Sequence, residues 1–192
     1  NLGFENSGVV DAAFDDAYRL KTLERVVLSN VRITDAIFPS LSKLGSLRQL
    51  VVKSTFGSST MKVSIDGLEQ MKNLQNVTTL GWNFVPGQAR DTTMRLAELV
   101  PNLTSIETPN AAFTSEDIAA FAIFQDLTRL VFGGSSITDS VLDGSLALTK
   151  LTRIELNSGV SISDKGLATL ANHKTLTEII AVDVSGITDE GL

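Results

Sequence analysis

The chain has 192 residues, of which 43% are hydrophobic and 6% aromatic, and its formal net charge at pH 7 is -6. This length and hydrophobic content are enough for a continuous core, whereas the aromatic content is low for a compact enzyme domain. The negative charge disfavours nucleic acid as a partner, and the absence of cysteine excludes disulfides, thiolate nucleophiles and thiolate metal ligands.

The sequence has neither an apolar run long enough to cross a membrane nor the basic-then-apolar start of a signal peptide. We therefore expect no membrane insertion by this segment. Both ends fall inside a repeating unit, because residues 2–4 match the end of a strand and residues 187–192 match the start of a helix. We expect a single repeat domain over residues 1–192, with about seven full repeats and partial terminal ones, in a chain that continues beyond both ends.

A six-residue pattern, L-x-x-L-x-L, recurs along the whole chain. Its first position occurs at intervals of 24, 30, 26, 24, 24 and 25 residues, at Leu23, Leu47, Val77, Leu103, Leu127, Leu151 and Leu176. A period in this range is typical of a solenoid, in which each repeat adds one strand to a parallel sheet. We predict strands centred near Leu2–Phe4, Val26, Leu50, Leu80, Ile106, Leu130, Ile154 and Ile179.

The second half of the unit contains an apolar residue, then Thr or Ser in every copy but one, and then Asp or Ser, followed by apolar residues at helical spacing. These triplets begin at Ile33, Ala89, Phe113, Ile137, Ile162 and Ile187. The hydroxyl or carboxylate is expected to cap the helix that follows, where negative charge is also favourable. Because the triplet recurs from repeat to repeat, we interpret its aspartates as structural rather than catalytic.

Two loops break the period. Residues 53–62 form a connection about six residues longer than its neighbours, and residues 83–88 form one about two residues longer. Insertions in a solenoid emerge on one edge and often bind ligands. One hypothesis is therefore a binding site formed by Phe56, Met61, Trp82 and Phe84. The alternative is that Trp82 and Phe84 fill the core beneath the loops.

A second candidate site lies on the exposed face of the predicted sheet. The third and fifth positions of L-x-x-L-x-L flank the inward fourth residue, so strand alternation turns them outward. The polar residues there that we predict as binding residues are Arg25, Gln49, Glu107, Arg129, Arg153, Glu155 and Glu178.

Neighbouring strands bring like positions side by side. Arg129 and Arg153 should therefore be adjacent and surrounded by glutamates, while Val27 and Val51 should form an apolar part of the same face. The charged residues either contact a partner or only pair with one another across the strands.

The combination of L-x-x-L-x-L with I-T-D-x-G-L resembles leucine-rich repeats of the cysteine-containing or ribonuclease-inhibitor-like kind, over essentially the whole chain. Lacking the cysteines of eukaryotic F-box versions and the asparagine ladder of the commonest class, it is similar to repeats of large bacterial proteins, including planctomycete ones. The resemblance implies an α/β fold: a right-handed solenoid with a parallel β-sheet on the concave side and helices on the convex side. It also implies a role in holding another macromolecule.

The single histidine, His173, lies between a predicted helix and the next strand, where we expect a solvated connection and little effect of replacement by alanine. One histidine without cysteine cannot form a His-based metal site or a Cys/His nucleophile. The Gly133-Gly134 turn also lacks the following Lys-Ser/Thr of a phosphate loop. We therefore expect no catalysis, no metal and no cofactor in this segment.

The leading functional hypothesis is a non-catalytic scaffold that binds a protein partner, in a bacterial and secreted or surface-attached protein. A cytoplasmic location is the alternative. Two further functional hypotheses are a substrate-recognition array of a ubiquitin ligase and a regulator or inhibitor of an enzyme, such as a GTPase activator or a nuclease inhibitor.

Overall fold

The computed structural model describes residues 1–54, 61–109, 111–133 and 137–191. In these ranges, eight strands form one parallel sheet whose strand order is the order along the chain. The strands are β1 Leu2–Glu5, β2 Arg25–Ser29, β3 Gln49–Lys53, β4 Thr79–Trp82, β5 Ser105–Thr108, β6 Arg129–Phe132, β7 Arg153–Leu156 and β8 Glu178–Ala181. Every predicted strand centre lies within one of them, so the predicted repeat register is confirmed.

Short helical segments connect the strands and lie on the other side of each repeat. The α-helices are α1 Phe38–Leu41, α2 Ile65–Leu68, α3 Ala89–Leu99, α4 Ser115–Ala120, α5 Asp139–Leu142 and α6 Asp164–Ala171. Turns of 3-10 helix are Asp11–Phe14, Ala17–Arg19, Asp35–Ile37, Leu74–Asn76, Phe121–Ile123, Asp143–Ala147 and Asp189–Gly191. This open parallel sheet with helices is the α/β solenoid expected from the sequence. None of the helices in the described ranges combines the length and hydropathy that crossing a bilayer requires.

One hydrophobic core runs along the solenoid between the sheet and the helices, from Phe14 to Leu170. The fourth positions of neighbouring repeats pair directly, as Leu130 does with Ile154, and both side chains are fully buried. Ile179 occupies the same position in β8 but is 40% exposed, because in the described sheet β8 has a neighbouring strand on one side only.

At four junctions, the aspartate of the repeated triplet connects its repeat to the next. In Asp35, one carboxylate oxygen accepts a hydrogen bond from the N–H of Ser64 at 2.7 Å and the other accepts one from its hydroxyl at 2.7 Å. We call this two-bond contact the aspartate bridge. It also joins Asp11 to Thr34, Asp139 to Ser163 and Asp164 to Thr188.

The hydroxyl and carboxylate groups of the triplet have different roles, whereas the prediction gave both of them the role of helix cap. The hydroxyl does cap the helix in its own repeat where Thr34 accepts from the N–H of Ala36 and Ser163 accepts from that of Lys165. Thr138 makes no side-chain cap, so the prediction is wrong there. The carboxylates, in contrast, bind the Ser or Thr of the following repeat, because stacking places that residue's N–H and hydroxyl directly opposite them.

A glycine makes room for the bridge. A Cβ atom on Gly166 would overlap Oδ1 of Asp139, and one on Gly67 would overlap Asp35 in the same way. The aspartate of one repeat and the glycine of the next are therefore one structural pair, which explains why D-x-G recurs.

Four junctions depart from this rule, and they pair Ser115 with Val141, Ile65 with Thr93, Asp91 with Asp117 and Asp11 with Ile37. The first two lack the aspartate as well as the glycine, and at the third Asp117 itself accepts from the N–H and hydroxyl of Thr114. Ile37 lies opposite Asp11, where the segment is a 3-10 turn rather than an α-helix.

A threonine ladder forms a second connection between repeats, along the starts of the strands. The hydroxyl of Thr104 donates to the carbonyl oxygen of Thr78 at 3.2 Å, and that oxygen also accepts the N–H of Thr104 at 2.8 Å. The same hydroxyl contact is made by Thr128, Thr152 and Thr177, each with the threonine of the preceding repeat. These contacts hold the strand starts in register.

His173 is not solvated, so that prediction is wrong. Its side chain is 9% exposed. One ring nitrogen, Nε2, lies 3.1 Å from the carbonyl oxygen of Ser145 in the preceding repeat, and Nδ1 lies 3.3 Å from the hydroxyl of Thr175. The carbonyl oxygen of Ser145 also accepts the N–H of Leu148 at 2.9 Å, so the imidazole adds a second hydrogen bond to it and ties this connection to the preceding repeat.

We expect Asp139→Asn to lower the free energy of unfolding at pH 7 by about 1–3 kcal/mol, because one amide oxygen cannot replace two carboxylate acceptors. Partial burial raises the pKa of Asp139, but the hydrogen bonds from Ser163 outweigh it and hold the pKa below its ordinary value of 3.8. The bridge is therefore complete above the ordinary value and is lost as pH falls through the lower folded value. Urea unfolding from pH 7 to pH 3 should show the difference between variant and wild type shrinking below about pH 4.

The control is Asp126→Asn, which removes a carboxylate that pairs with Lys150 on the exposed surface. It should leave stability unchanged at both ends of the pH range. A deficit of Asp139→Asn that stayed constant with pH would contradict the role of the charged bridge.

We expect His173→Ala to lower the free energy of unfolding by about 1–3 kcal/mol, because the buried ring would lose its hydrogen bonds to the carbonyl of Ser145 and the hydroxyl of Thr175 and leave its space unfilled. The exposed neighbour Lys174 provides the matched control, and Lys174→Ala should change stability by less than about 0.5 kcal/mol. Thermal melts of the two variants compare them directly. Equal melting temperatures would show that the contact with Ser145 contributes nothing.

Candidate functional site

The candidate site is the sheet surface that carries the third and fifth positions of the repeats, which we call the concave face. The parallel register places Arg129 beside Arg153, and Arg153 beside Glu178. In the next column, Val131 lies between Glu107 and Glu155. The predicted adjacency of the two arginines is confirmed.

Five of these side chains form one charge network across β5 to β8. Arg129 donates from Nε to Glu155 at 2.8 Å and from Nη1 to Glu107 at 3.1 Å. Arg153 donates from Nε to the same oxygen of Glu155 at 2.7 Å and from Nη1 to Glu178 at 2.8 Å. The charges alternate in sign along this chain, so each arginine contacts two carboxylates.

Burial is deepest at the centre of the charge network. The side chain of Glu155 is 13% exposed, whereas that of Glu178 at the end is 46% exposed. Burial raises the pKa of Glu155, but hydrogen bonds from Arg129 and Arg153 outweigh it, and the pKa lies below its ordinary value of 4.5. Burial lowers the pKa of Arg129, yet Glu155 and Glu107 raise it by more. Both groups therefore stay charged at neutral pH.

A groove of about 390 Å³ lies beside the network on the concave face. Its polar and charged lining residues are Lys53, Glu107, Thr108, Arg129, Glu155 and Asn157. Val131, Pro109 and Gly133 complete the lining without adding polar side-chain atoms. The groove therefore combines fixed charges with an apolar portion, as ligand sites on proteins commonly do.

The other predicted residues of the concave face lie outside the network. Arg25 pairs in register with Gln49 on the neighbouring strand, and the two side chains are exposed and half-buried. Val27 and Val51 are only 8% and 1% exposed, so the predicted apolar part of the surface is wrong. Val51 is covered partly because its side chain occupies the space above Gly81, where a Cβ atom would lie 2.6 Å from it.

The loop hypothesis is corrected for its two largest residues. Trp82 and Phe84 are 5% and 4% exposed, so they fill the core, which was the alternative. The ring of Phe84 packs against those of Phe113 and Phe121, at centroid distances of 5.3 and 5.6 Å. The enlarged space beneath a longer connection is filled by these rings.

Two further residues of the inserted-loop hypothesis have different positions. Met61 is half-buried and packs against the core. Phe56 lies outside the described residues, and its role stays a prediction.

Two residues of the groove, Lys53 and Asn157, do not belong to the predicted set. They occupy the seventh position of the repeat, one step of strand alternation beyond the six-residue pattern. Extending the alternation by two residues would have included them.

Metal binding has no support in this part of the molecule. Within the described ranges, no cluster of histidine, aspartate or glutamate side chains is arranged to hold a metal ion. In the network, the carboxylates of Glu107 and Glu155 are bonded to arginine, which is a poor environment for a cation.

Comparison with known structures reveals similar folds at low sequence identity. Human 5T4, also called trophoblast glycoprotein or Wnt-activated inhibitory factor 1, matches with a TM-score of 0.60 at 16% identity, over 99% of this chain and 77% of that one. An internalin from Listeria monocytogenes matches with a TM-score of 0.46 at 16% identity, over 96% of this chain and 61% of that one. No protein-family model and no curated protein matches the sequence. The similarity to 5T4 at this level of identity shows the fold alone.

We expect a double-mutant cycle of Arg129→Met and Glu155→Gln to give a coupling of about 1 kcal/mol, because the pair is half-buried and shares its partners in a network. The matched pair Lys150 and Asp126 is exposed, with side chains 58% and 69% accessible, and should give a much smaller coupling. Free energies of unfolding from urea titrations supply both cycles. Equal couplings would show that the concave network is no stronger than an ordinary surface pair.

Proposed function

Because the chain has the leucine-rich repeat fold, we propose that it is a non-catalytic scaffold whose concave face binds another protein. The observation that carries this proposal is the charge network beside the groove. Its side chains are held in place before a partner arrives, so binding would not require them to lose conformational freedom. Arginine is also enriched among the residues that dominate protein interfaces.

The non-catalytic part of the proposal rests on how the reactive groups are used. The imidazole of His173 contacts Ser145 and Thr175, away from the concave face. The aspartates of the triplets, such as Asp139 and Asp164, are engaged in bridges between repeats. Each of these groups has a structural role that accounts for its presence.

The charges on the concave face also satisfy one another, which is the competing explanation of their presence. Arg129 and Arg153 both have two carboxylate partners without any ligand. A test therefore has to separate binding from stability. Glutamine is the better replacement for arginine here, because a glutamate would add a fourth and fifth carboxylate to the network and disrupt it by repulsion.

We expect the double variant Arg129→Gln and Arg153→Gln to lose a specific partner that the wild type captures from an extract of the source organism. The control is Arg95→Gln on α3, since Arg95 also pairs with two carboxylates, those of Asp66 and Glu69, but on the helical side. Mass spectrometry of the captured proteins quantifies the loss, and circular dichroism checks that all variants are folded. Equal recovery by the double variant and the control would place binding elsewhere on the molecule.

A further inference from the structure

We infer that the groove on the concave face receives an acidic side chain of an extended segment of the partner protein, and that Lys53 pairs with its carboxylate. This inference rests on the proposed function, because it assumes that a protein occupies the concave face. It gives Lys53, a residue outside the charge network, the role of binding one carboxylate of the partner.

Lys53 differs from Arg129, the other cation that lines the groove. Arg129 contacts both Glu107 and Glu155, so its charge is compensated within the molecule. None of the ion pairs formed by the described residues includes Lys53. Its ammonium group is therefore the uncompensated charge of the groove, and the residue as a whole is half-buried.

The shape of the neighbouring strand explains how Lys53 comes to line the same groove as Glu107, two strands away. Between them, β4 carries Gly81, which has no side chain. Asn83 follows β4, and its side-chain amide is turned toward Ser54, donating to the hydroxyl at 2.6 Å and to the carbonyl at 3.2 Å. The side chain of Val51 fills the space above Gly81, so it is the turn of Asn83 toward Ser54, beyond the end of β4, that leaves Lys53 exposed to the groove.

The remainder of the groove favours a peptide segment over a compact anion. The lining residues belong to β3 and to the strands up to β7, four strand spacings or about 19 Å away, which is the length of about six extended residues. Pro109, which is half-buried, provides an apolar contact along this path. Asn157 at the far end places a side-chain amide at the groove wall, where it can bond to a peptide group.

The charge of the groove also selects among anions. Glu107 and Glu155 flank Arg129, so a phosphate dianion would meet two carboxylates and a protein of net charge -6. A single carboxylate needs only one uncompensated cation, which Lys53 supplies. An aspartate or glutamate side chain is therefore the group that fits this position.

The test selects binding peptides from a random library displayed on phage, using the immobilised wild-type protein. We expect the enriched peptides to share an acidic residue. For a synthetic peptide from this set, replacing that residue by its amide should weaken binding to the wild type about fivefold, as for one solvent-accessible ion pair. Lys53→Gln should weaken binding of the acidic peptide by the same factor, measured by fluorescence anisotropy.

The two changes must not add, because they remove the same contact. The control is Lys62→Gln, since Lys62 is exposed and lies outside the groove, and this variant should bind as the wild type does. Failure to enrich acidic peptides, or an equal effect of the peptide change on the wild type and Lys53→Gln, would overturn the inference. If Arg129→Gln still weakened binding in that case, the proposed function would stand while the role of Lys53 would fall.

Discussion

Contact between one repeat and the next is the constraint on which the structure depends. A repeat of about 25 residues cannot bury its own hydrophobic face, so its stability comes from its two neighbours. The aspartate bridge and the threonine ladder meet this need with backbone and side-chain hydrogen bonds on opposite parts of each repeat. Together they set the strand register, and the register in turn brings Arg129 beside Arg153.

The strand positions, the sheet order and the neighbours on the concave face could be predicted because they follow from two periods, that of the repeat and that of strand alternation. The contact of Asp139 with the next repeat could not be predicted. In the sequence of one triplet, the free N–H groups at the start of its own helix are an equally good partner for the carboxylate. The burial of His173 could not be predicted either, since this single residue lies in a connection that has no periodic pattern of apolar residues. The positions of Trp82 and Phe84 could not be decided from the sequence. Large aromatic residues beside a longer loop are expected both where the loop binds a ligand and where the core beneath it is larger.

The electrostatics of the concave face differ from those of the whole molecule. The chain is acidic overall, with a net charge of -6, yet its charge network combines three glutamates with two arginines in direct contact. If this surface binds a partner, as proposed, long-range attraction would contribute little to selectivity. Selectivity would instead depend on the positions of charged groups that have no ion-pair partner within the chain. Among the described residues of the groove, Lys53 is such a group.

The pairing of aspartate with the next repeat's glycine also bears on how such an array grows. The triplet of Ser163 and Asp164 presents an acceptor to the repeat that follows and a donor to the repeat that precedes, so this unit is complementary to itself in a head-to-tail sense. A gene duplication that copies a repeat with all three residues, such as the one with Ser163, Asp164 and Gly166, would recreate the bridge without a compensating mutation. Ser115 and Val141 show the converse, since both halves of one junction are altered together. The junction of Asp11 shows a second route of divergence, since Ile37 replaces the glycine there and the bridge to Thr34 is kept.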